Sequence, residues 1–125
     1  MLILMVDDSP TIRSSVSFCI QNAGYKVVEA VDGQDGLERL EEMKNQGIAP
    51  SLIITDVNMP RMDGMTFIEN VKKSEFRYLP IMVLTTESEE GLIEKGRALG
   101  ASGWLLKPFQ PEELLWAIKK LVWER

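Results

Sequence analysis

The sequence predicts a doubly wound α/β domain, with a parallel five-stranded sheet between layers of helices. Five short apolar runs alternate with five amphipathic stretches of helical spacing. Three of the runs are almost entirely apolar, which is typical of strands buried on both faces. Right-handed βα crossovers then divide the helices between the two faces of the sheet. The length of 125 residues suits one domain, and we expect residues 1–125 to form it.

The apolar runs set the positions of the predicted strands. They are Leu2–Val6, Lys26–Ala30, Leu52–Thr55, Ile81–Thr85 and Gly103–Leu106. The first run has no basic flank before it and stops at Asp7, so it is typical of a buried strand and not of a signal peptide. No run approaches the roughly 20 apolar residues that cross a bilayer. We therefore expect a cytoplasmic protein without a membrane partner.

The first three helices are predicted from apolar spacing and capping residues. The first carries an apolar stripe and is closed by Gly24; the stripe consists of Ile12, Val16, Cys19, Ile20 and Ala23. Asp32 is placed to cap the second helix, which carries Leu37 and Leu40. The third is expected over residues 64–73, with Met65, Ile68 and Val71 on one face.

The last two helices have clear starting signals. Thr86-Glu87-Ser88-Glu89 matches a capping box ahead of the fourth helix. Pro111 stands where a first-turn proline belongs, followed by Glu112 and Glu113 at the positive helix end. The apolar stripe of the fifth helix is Leu114, Ile118, Leu121 and Val122.

Composition excludes several function classes. The chain contains no histidine, which removes Ser-His-Asp and Cys-His catalysis, the usual zinc sites and a phosphohistidine on this chain. Cys19 is the single cysteine, so no internal disulfide forms, and we expect it to pack as a small apolar residue. A net charge of −5 argues against nucleic-acid binding.

Acidic residues follow two of the predicted strands. Asp7 and Asp8 end the first and Asp56 ends the third. Ligands of such sheets bind beyond the carboxyl ends of the strands, and three carboxylates meeting there favour a bound cation such as Mg²⁺. Lys107 and Thr85 follow or end two further strands and bring an ammonium and a hydroxyl to the same edge. These are the groups that phosphoryl transfer requires, although each taken singly also fits a helix cap, a salt bridge or a strand end.

Four motifs together resemble the response-regulator receiver domains of two-component systems, closest to the single-domain, CheY-like chemotaxis type. They are Asp7-Asp8, the segment from Asp56 to Gly64 (DVNMPRMDG), Leu84-Thr85-Thr86 and Lys107-Pro108-Phe109. The resemblance covers the whole chain. It implies a flavodoxin-like (βα)5 sandwich with strand order 2-1-3-4-5 and a cis peptide bond before Pro108.

The resemblance also implies a role for each matching residue. Asp56 is the phosphoacceptor that becomes 4-aspartylphosphate, and the donor is a phosphohistidine on a sensor kinase or phosphotransfer protein. Asp8, Asp56 and the Asn58 carbonyl bind Mg²⁺ directly, and Asp7 binds it through water. Lys107 and Thr85 contact the phosphoryl oxygens. The protein catalyses its own phosphotransfer and dephosphorylation and is otherwise not an enzyme.

Signalling is expected to depend on positions around this site. Asn58 and Glu87 tune dephosphorylation if they orient water, although both also fit solvated loop residues. Thr85 and Trp104 match the switch positions, where tyrosine or phenylalanine is commoner than tryptophan. The output is expected to be docking of an unidentified protein on the face formed by the fourth helix, fifth strand and fifth helix. The acidic start of that fourth helix favours a basic partner or merely a solvated helix end.

Two other functions use similar residues. A phosphatase of the haloacid dehalogenase type needs a second aspartate two residues after its nucleophile, where this chain has Asn58. A flavodoxin-like FMN carrier needs a phosphate cradle after the first strand, where Asp7 and Asp8 repel phosphate. A degenerate receiver that acts only as a scaffold is opposed by the full set of catalytic residues.

Overall fold

A computed structural model describes residues 1–86 and 90–122, and the side chain of Glu90 is not part of that description. Strands and helices alternate along the chain. They are β1 (Leu2–Val6), α1 (Pro10–Asn22), β2 (Lys26–Ala30), α2 (Gly33–Asn45), β3 (Leu52–Thr55), α3 (Gly64–Lys72), β4 (Ile81–Thr85), α4 (Glu90–Leu99), β5 (Gly103–Leu106) and α5 (Pro111–Val122). The five predicted strands are confirmed at both ends.

The strands form one parallel sheet in the order β2-β1-β3-β4-β5, which confirms the doubly wound fold. The strand order reverses at β1, so β1 and β3 are neighbours although β2 lies between them in sequence. Val6 pairs with Thr55 in this register. The residues that follow β1 and β3 therefore leave the sheet side by side.

The sheet separates two hydrophobic clusters. One lies between the sheet and α2, α3 and α4, with Phe67, Ile68 and Leu40 buried at its centre. The other lies between the sheet and α1 and α5, where Ile20 and Ile118 are fully buried. Alternate residues of β1 enter opposite clusters, so the strand is apolar throughout.

The helix boundaries follow local capping chemistry. Asp32 caps α2 as predicted, because its side chain accepts from the Asp35 N–H. Gly24 adopts a φ of 100° just after α1, which suits glycine and confirms the predicted end of that helix. Ala23 was predicted on the apolar stripe of α1, and this is wrong: it is the exposed C-terminal cap, one residue past Asn22.

Two predictions concern residues outside the described ranges. Glu87, Ser88 and Glu89 belong to the expected capping box and to the acidic start of the fourth helix, and they lie outside the part of the chain that the structure describes. The described helices include none with both the length and the apolar character required to span a bilayer.

Candidate phosphoacceptor site

The three predicted carboxylates converge at the carboxyl ends of β1 and β3. One oxygen from each of Asp7, Asp8 and Asp56 lies within 4.8 Å of the others. The cause is the strand order, because the turn after β1 lies beside the turn after β3. Asp7 is fully buried, the side chain of Asp56 is 15% exposed, and Asp8 is open to solvent. The group therefore runs from the protein interior to the surface.

Backbone contacts fix the orientation of the two less exposed carboxylates. Asp7 Oδ1 accepts a 2.9 Å hydrogen bond from the Ser9 N–H, at the start of α1. Asp56 Oδ1 accepts a 2.7 Å bond from the N–H of its neighbour Val57. Each of these carboxylates therefore has one oxygen held by the backbone and a second, Oδ2, directed to another group.

That other group is the ammonium of Lys107, which follows β5. Its Nζ lies 3.2 Å from Asp7 Oδ2 and 3.4 Å from Asp56 Oδ2. The Lys107 side chain is 12% exposed, so the contact is largely shielded from solvent. The peptide bond between Lys107 and Pro108 is cis, as the resemblance implies.

The charge of the site is only partly balanced. Burial raises the pKa of Asp56 most, and the negative charge of Asp7 raises it further, while the Val57 N–H and Lys107 act in the opposite direction. One ammonium faces up to three negative charges. The remaining repulsion favours a divalent cation, and a cluster of carboxylate oxygens suits Mg²⁺.

Thr85 and Trp104 lie on the neighbouring strands β4 and β5. Thr85 is the buried last residue of β4, and it pairs with Leu106, directly before Lys107. The ring of Trp104 packs against α4, where a Cβ added to Gly96 would lie 2.8 Å from it. The indole Nε1 of Trp104 is buried and has no hydrogen-bond partner among the described residues.

The loop between β3 and α3 returns closely to Asp56. A Cβ added to Gly64 would overlap the backbone carbonyl oxygen of Asp56, so only glycine fits at the start of α3. Asn58 is exposed in this loop, two residues after Asp56. Glu87, the other residue expected to tune dephosphorylation, lies outside the described ranges.

Arg13 is a residue near the site that the sequence analysis did not identify. Its Nη1 donates a 2.7 Å hydrogen bond to the Asp7 carbonyl, and its Nε lies 3.0 Å from Glu29 Oε1. It thereby ties the turn after β1 to β2. The sequence does contain one indication of this role, because Arg13 stands in the first turn of the helix that follows Asp7 and Asp8.

Comparison with known proteins agrees with this geometry. The family model described as "Response regulator receiver domain" matches residues 3–119. Protein PilG of Pseudomonas aeruginosa is 37% identical over 120 residues, which is 94% of this chain and 84% of that protein. The chemotaxis protein CheY4 of Vibrio cholerae has a solved structure with a TM-score of 0.85 and 43% identity, covering 96% of this chain and 97% of that one.

Receiver domains also occur inside longer proteins. The sensor histidine kinase CheAY of Helicobacter pylori is 33% identical over 122 residues, which is 97% of this chain but only 15% of that protein. The motifs, the strand order and these matches lead to one conclusion: the chain belongs to the response regulator receiver domain family.

Proposed function

We propose that the protein is a phosphorylation-switched signalling protein in which Asp56 accepts a phosphoryl group in a Mg²⁺-dependent reaction. The observation that carries this proposal is the convergence of Asp7, Asp8 and Asp56 within 4.8 Å, with the Lys107 ammonium 3.4 Å from Asp56. Receiver family membership favours it over the phosphatase and FMN-carrier alternatives. We further propose that residues 1–125 act as a single domain.

The residues present fit a Mg²⁺ ion. Asp8 and Asp56 supply carboxylate oxygens, the Asn58 carbonyl completes the proposed set of direct ligands, and Asp7 acts through water. Asp7 suits the indirect role because one of its oxygens accepts from Ser9 and the other contacts Lys107. When bound, the ion neutralises negative charge on the oxygens of the transferred phosphoryl group.

The reaction is a transfer between a donor imidazole and Asp56. A carboxylate oxygen of Asp56 forms a bond to phosphorus while the bond from phosphorus to the donor nitrogen breaks, and its electron pair stays on the imidazole. Lys107 holds the acceptor beforehand and then contacts the phosphoryl oxygens, together with the Thr85 hydroxyl. Hydrolysis of the product requires a water molecule, and we expect Asn58 and Glu87 to orient it.

A phosphohistidine donor lies outside these 125 residues, because they contain no histidine. A sensor histidine kinase or a phosphotransfer protein fits this requirement, and the relative CheAY is itself named as a sensor histidine kinase. An apolar cavity of about 400 Å³ beside Lys107 offers the donor a surface; Ile12, Val16, Cys19, Phe109 and Pro111 contribute to its lining. We also propose that the protein is cytoplasmic and that it binds neither nucleic acid nor a membrane.

Output is proposed to begin at Thr85 and Trp104. New phosphoryl oxygens attract the Thr85 hydroxyl, and movement of Thr85 changes the space next to β5. The buried Nε1 of Trp104 has no hydrogen-bond partner among the described residues, and a buried donor without a partner is costly. Rotation of the indole ring that gives Nε1 a partner would therefore be favourable. The face of α4, β5 and α5 then binds an unidentified protein. CheY4 is named as a chemotaxis protein, so chemotaxis is one candidate pathway and another phosphorelay is the second.

The test uses acetyl phosphate as the donor. Wild type is expected to gain the mass of one phosphoryl group in Mg²⁺ and none in EDTA, and the label should be lost in mild alkali because acyl phosphates are labile there. A label that forms without Mg²⁺ or survives alkali would point to a serine or threonine and contradict the proposal.

A further inference from the structure

The loop between β3 and α3 contains an unusual backbone conformation. Arg61 has a φ of 61°, and it is the single non-glycine residue with positive φ in the described ranges. The Met62 N–H donates a 2.6 Å hydrogen bond to the Pro60 carbonyl, which closes a three-residue turn centred on Arg61. Turns of this kind with positive φ are rare and strained, and such strain persists only where surrounding contacts hold it.

An ion pair supplies the first of those contacts. Arg61 Nε lies 2.8 Å from Asp32 Oδ2, and Nη2 lies 3.2 Å from Asp32 Oδ1, so the guanidinium engages both oxygens. The Asp32 side chain is 4% exposed. Its Oδ1 also accepts a 2.8 Å bond from the Asp35 N–H as the cap of α2. The pair therefore joins the loop after the acceptor to a fixed helix start.

A second contact lies directly beside the ion pair. The Gly33 N–H, in the first residue of α2, donates a 3.1 Å hydrogen bond to the Met62 carbonyl. A Cβ added to Gly33 would lie 2.8 Å from Met62, so the loop is pressed against the helix. At its two ends the loop is fixed by the Val57 N–H on Asp56 Oδ1 and by the Gly64 N–H on the Val57 carbonyl, both at 2.7 Å.

We infer that the Arg61–Asp32 ion pair is a latch that holds the β3–α3 loop in the shape that presents Asn58 to the metal beside Asp56. The inference rests on the proposed function, because it assigns two positioning residues to that site. Neither residue touches the transferred group. Asn58 lies between the fixed Asp56 end and the turn at Arg61, and without the ion pair the segment that contains Asn58 is free to adopt other backbone conformations.

The measured quantity is the Mg²⁺ dissociation constant, obtained by calorimetric titration of folded, unphosphorylated protein. We expect Arg61→Ala and Asp32→Asn each to raise the constant about five-fold, less than the roughly 10–100-fold typical of residues that hydrogen-bond a ligand directly. Asparagine keeps the cap on α2 while removing the charge. The double variant should be no weaker than either single variant, because both remove the same pair.

Two further variants separate positioning from stability. Arg61→Gly removes the pair but also relieves the positive φ, so it should unfold at a higher temperature than Arg61→Ala and still bind Mg²⁺ weakly. Lys44 lies on α2, the helix that Asp32 caps; Lys44→Ala breaks its exposed 2.8 Å ion pair with Glu75, which follows α3, and should leave Mg²⁺ binding unchanged. A purely structural pair would instead make Mg²⁺ affinity follow stability.

The latch is wrong if Arg61→Ala and Asp32→Asn bind Mg²⁺ as tightly as wild type, or if their effects add in the double variant. Failure of the proposed function looks different, because wild type itself would then bind no Mg²⁺ or accept no phosphoryl group from acetyl phosphate.

Discussion

A single ammonium, Lys107 Nζ, bridges Asp7 Oδ2 at 3.2 Å and Asp56 Oδ2 at 3.4 Å, and so holds the proposed acceptor before phosphorylation. The two contacts come from residues 100 and 51 positions away in sequence. They balance part of the negative charge that the strand ends bring together. We therefore expect Lys107 to affect both cation binding and the response to phosphorylation.

Replacing Lys107 by alanine should tighten Mg²⁺ binding while weakening signalling. The cation then meets less opposing positive charge, so we expect the Mg²⁺ dissociation constant to fall several-fold, which corresponds to roughly 1 kcal/mol. Loss of one charge-assisted contact to the phosphoryl group removes roughly 1.5–3 kcal/mol of the bias toward the active state. Calorimetry measures the first effect, and partner affinity at matched phosphorylation measures the second.

Lys107→Arg serves as the control for charge. It should keep the metal-free charge balance and wild-type Mg²⁺ affinity, although its planar guanidinium cannot copy the contacts of an ammonium. Equal partner affinity of phosphorylated Lys107→Ala and phosphorylated wild type would reduce Lys107 to a neutralising residue.

Asp56→Asn should stabilise the metal-free protein at neutral pH. Burial raises the folded-state pKa of Asp56, so the folded protein binds this proton more tightly than the unfolded chain does. The free energy of unfolding therefore decreases as pH rises from the pKa of Asp56 in the unfolded chain to its higher pKa in the folded protein. The lost stability is not regained at neutral pH. Asparagine never ionises, and we expect its melting temperature in EDTA at pH 7 to exceed that of wild type by about 2–5 °C.

The pH dependence provides the check. The gain should shrink as pH falls through the raised folded-state pKa of Asp56, because Asp56 is then protonated in wild type as well. A gain in melting temperature that does not change between acidic and neutral pH, or a loss at pH 7, would contradict the assigned direction of the pKa shift.

Asp8→Ala should weaken Mg²⁺ binding more than Asp7→Ala does. The exposed Asp8 carboxylate is proposed to touch the ion, whereas both oxygens of Asp7 contact protein groups, Ser9 and Lys107. Calorimetric titration of both variants measures the difference. Asp7→Ala should instead lower the melting temperature more, because it leaves the Lys107 ammonium with a lost partner in a shielded site. Equal Mg²⁺ affinities would reject this division of roles.

Gly64→Ala should destabilise the fold by more than about 2 kcal/mol, because its Cβ overlaps the Asp56 carbonyl and the backbone must move. Gly91→Ala in α4 is the matched control. A Cβ there meets nothing within 4 Å, so alanine should be neutral or add up to about 1 kcal/mol through its helix propensity. Urea unfolding compares the two. A mild effect at Gly64 would show that the loop relaxes without cost.

The sequence predicted the sheet because parallel strands buried on both faces are short apolar runs with acidic or turn-forming ends. It also predicted which carboxylates meet, since their positions after β1 and β3 determine this once the two strands are neighbours. The Arg61–Asp32 pair was beyond prediction. Asp32 was recognised only as a helix cap, and its partner lies 29 residues away on a turn whose positive φ at a non-glycine residue has no sequence signal.

The central claim is that Asp56 carries the phosphoryl group, and the most direct measurement is site mapping after transfer from a phosphorylated histidine kinase in Mg²⁺. Borohydride reduces an aspartyl phosphate to homoserine, which peptide mass spectrometry identifies at its position in the chain. We predict homoserine at position 56 in wild type and none in Asp56→Asn. Homoserine at Asp7 or Asp8 in place of position 56, or an unmodified Asp56 in protein that has accepted the label, would contradict the account.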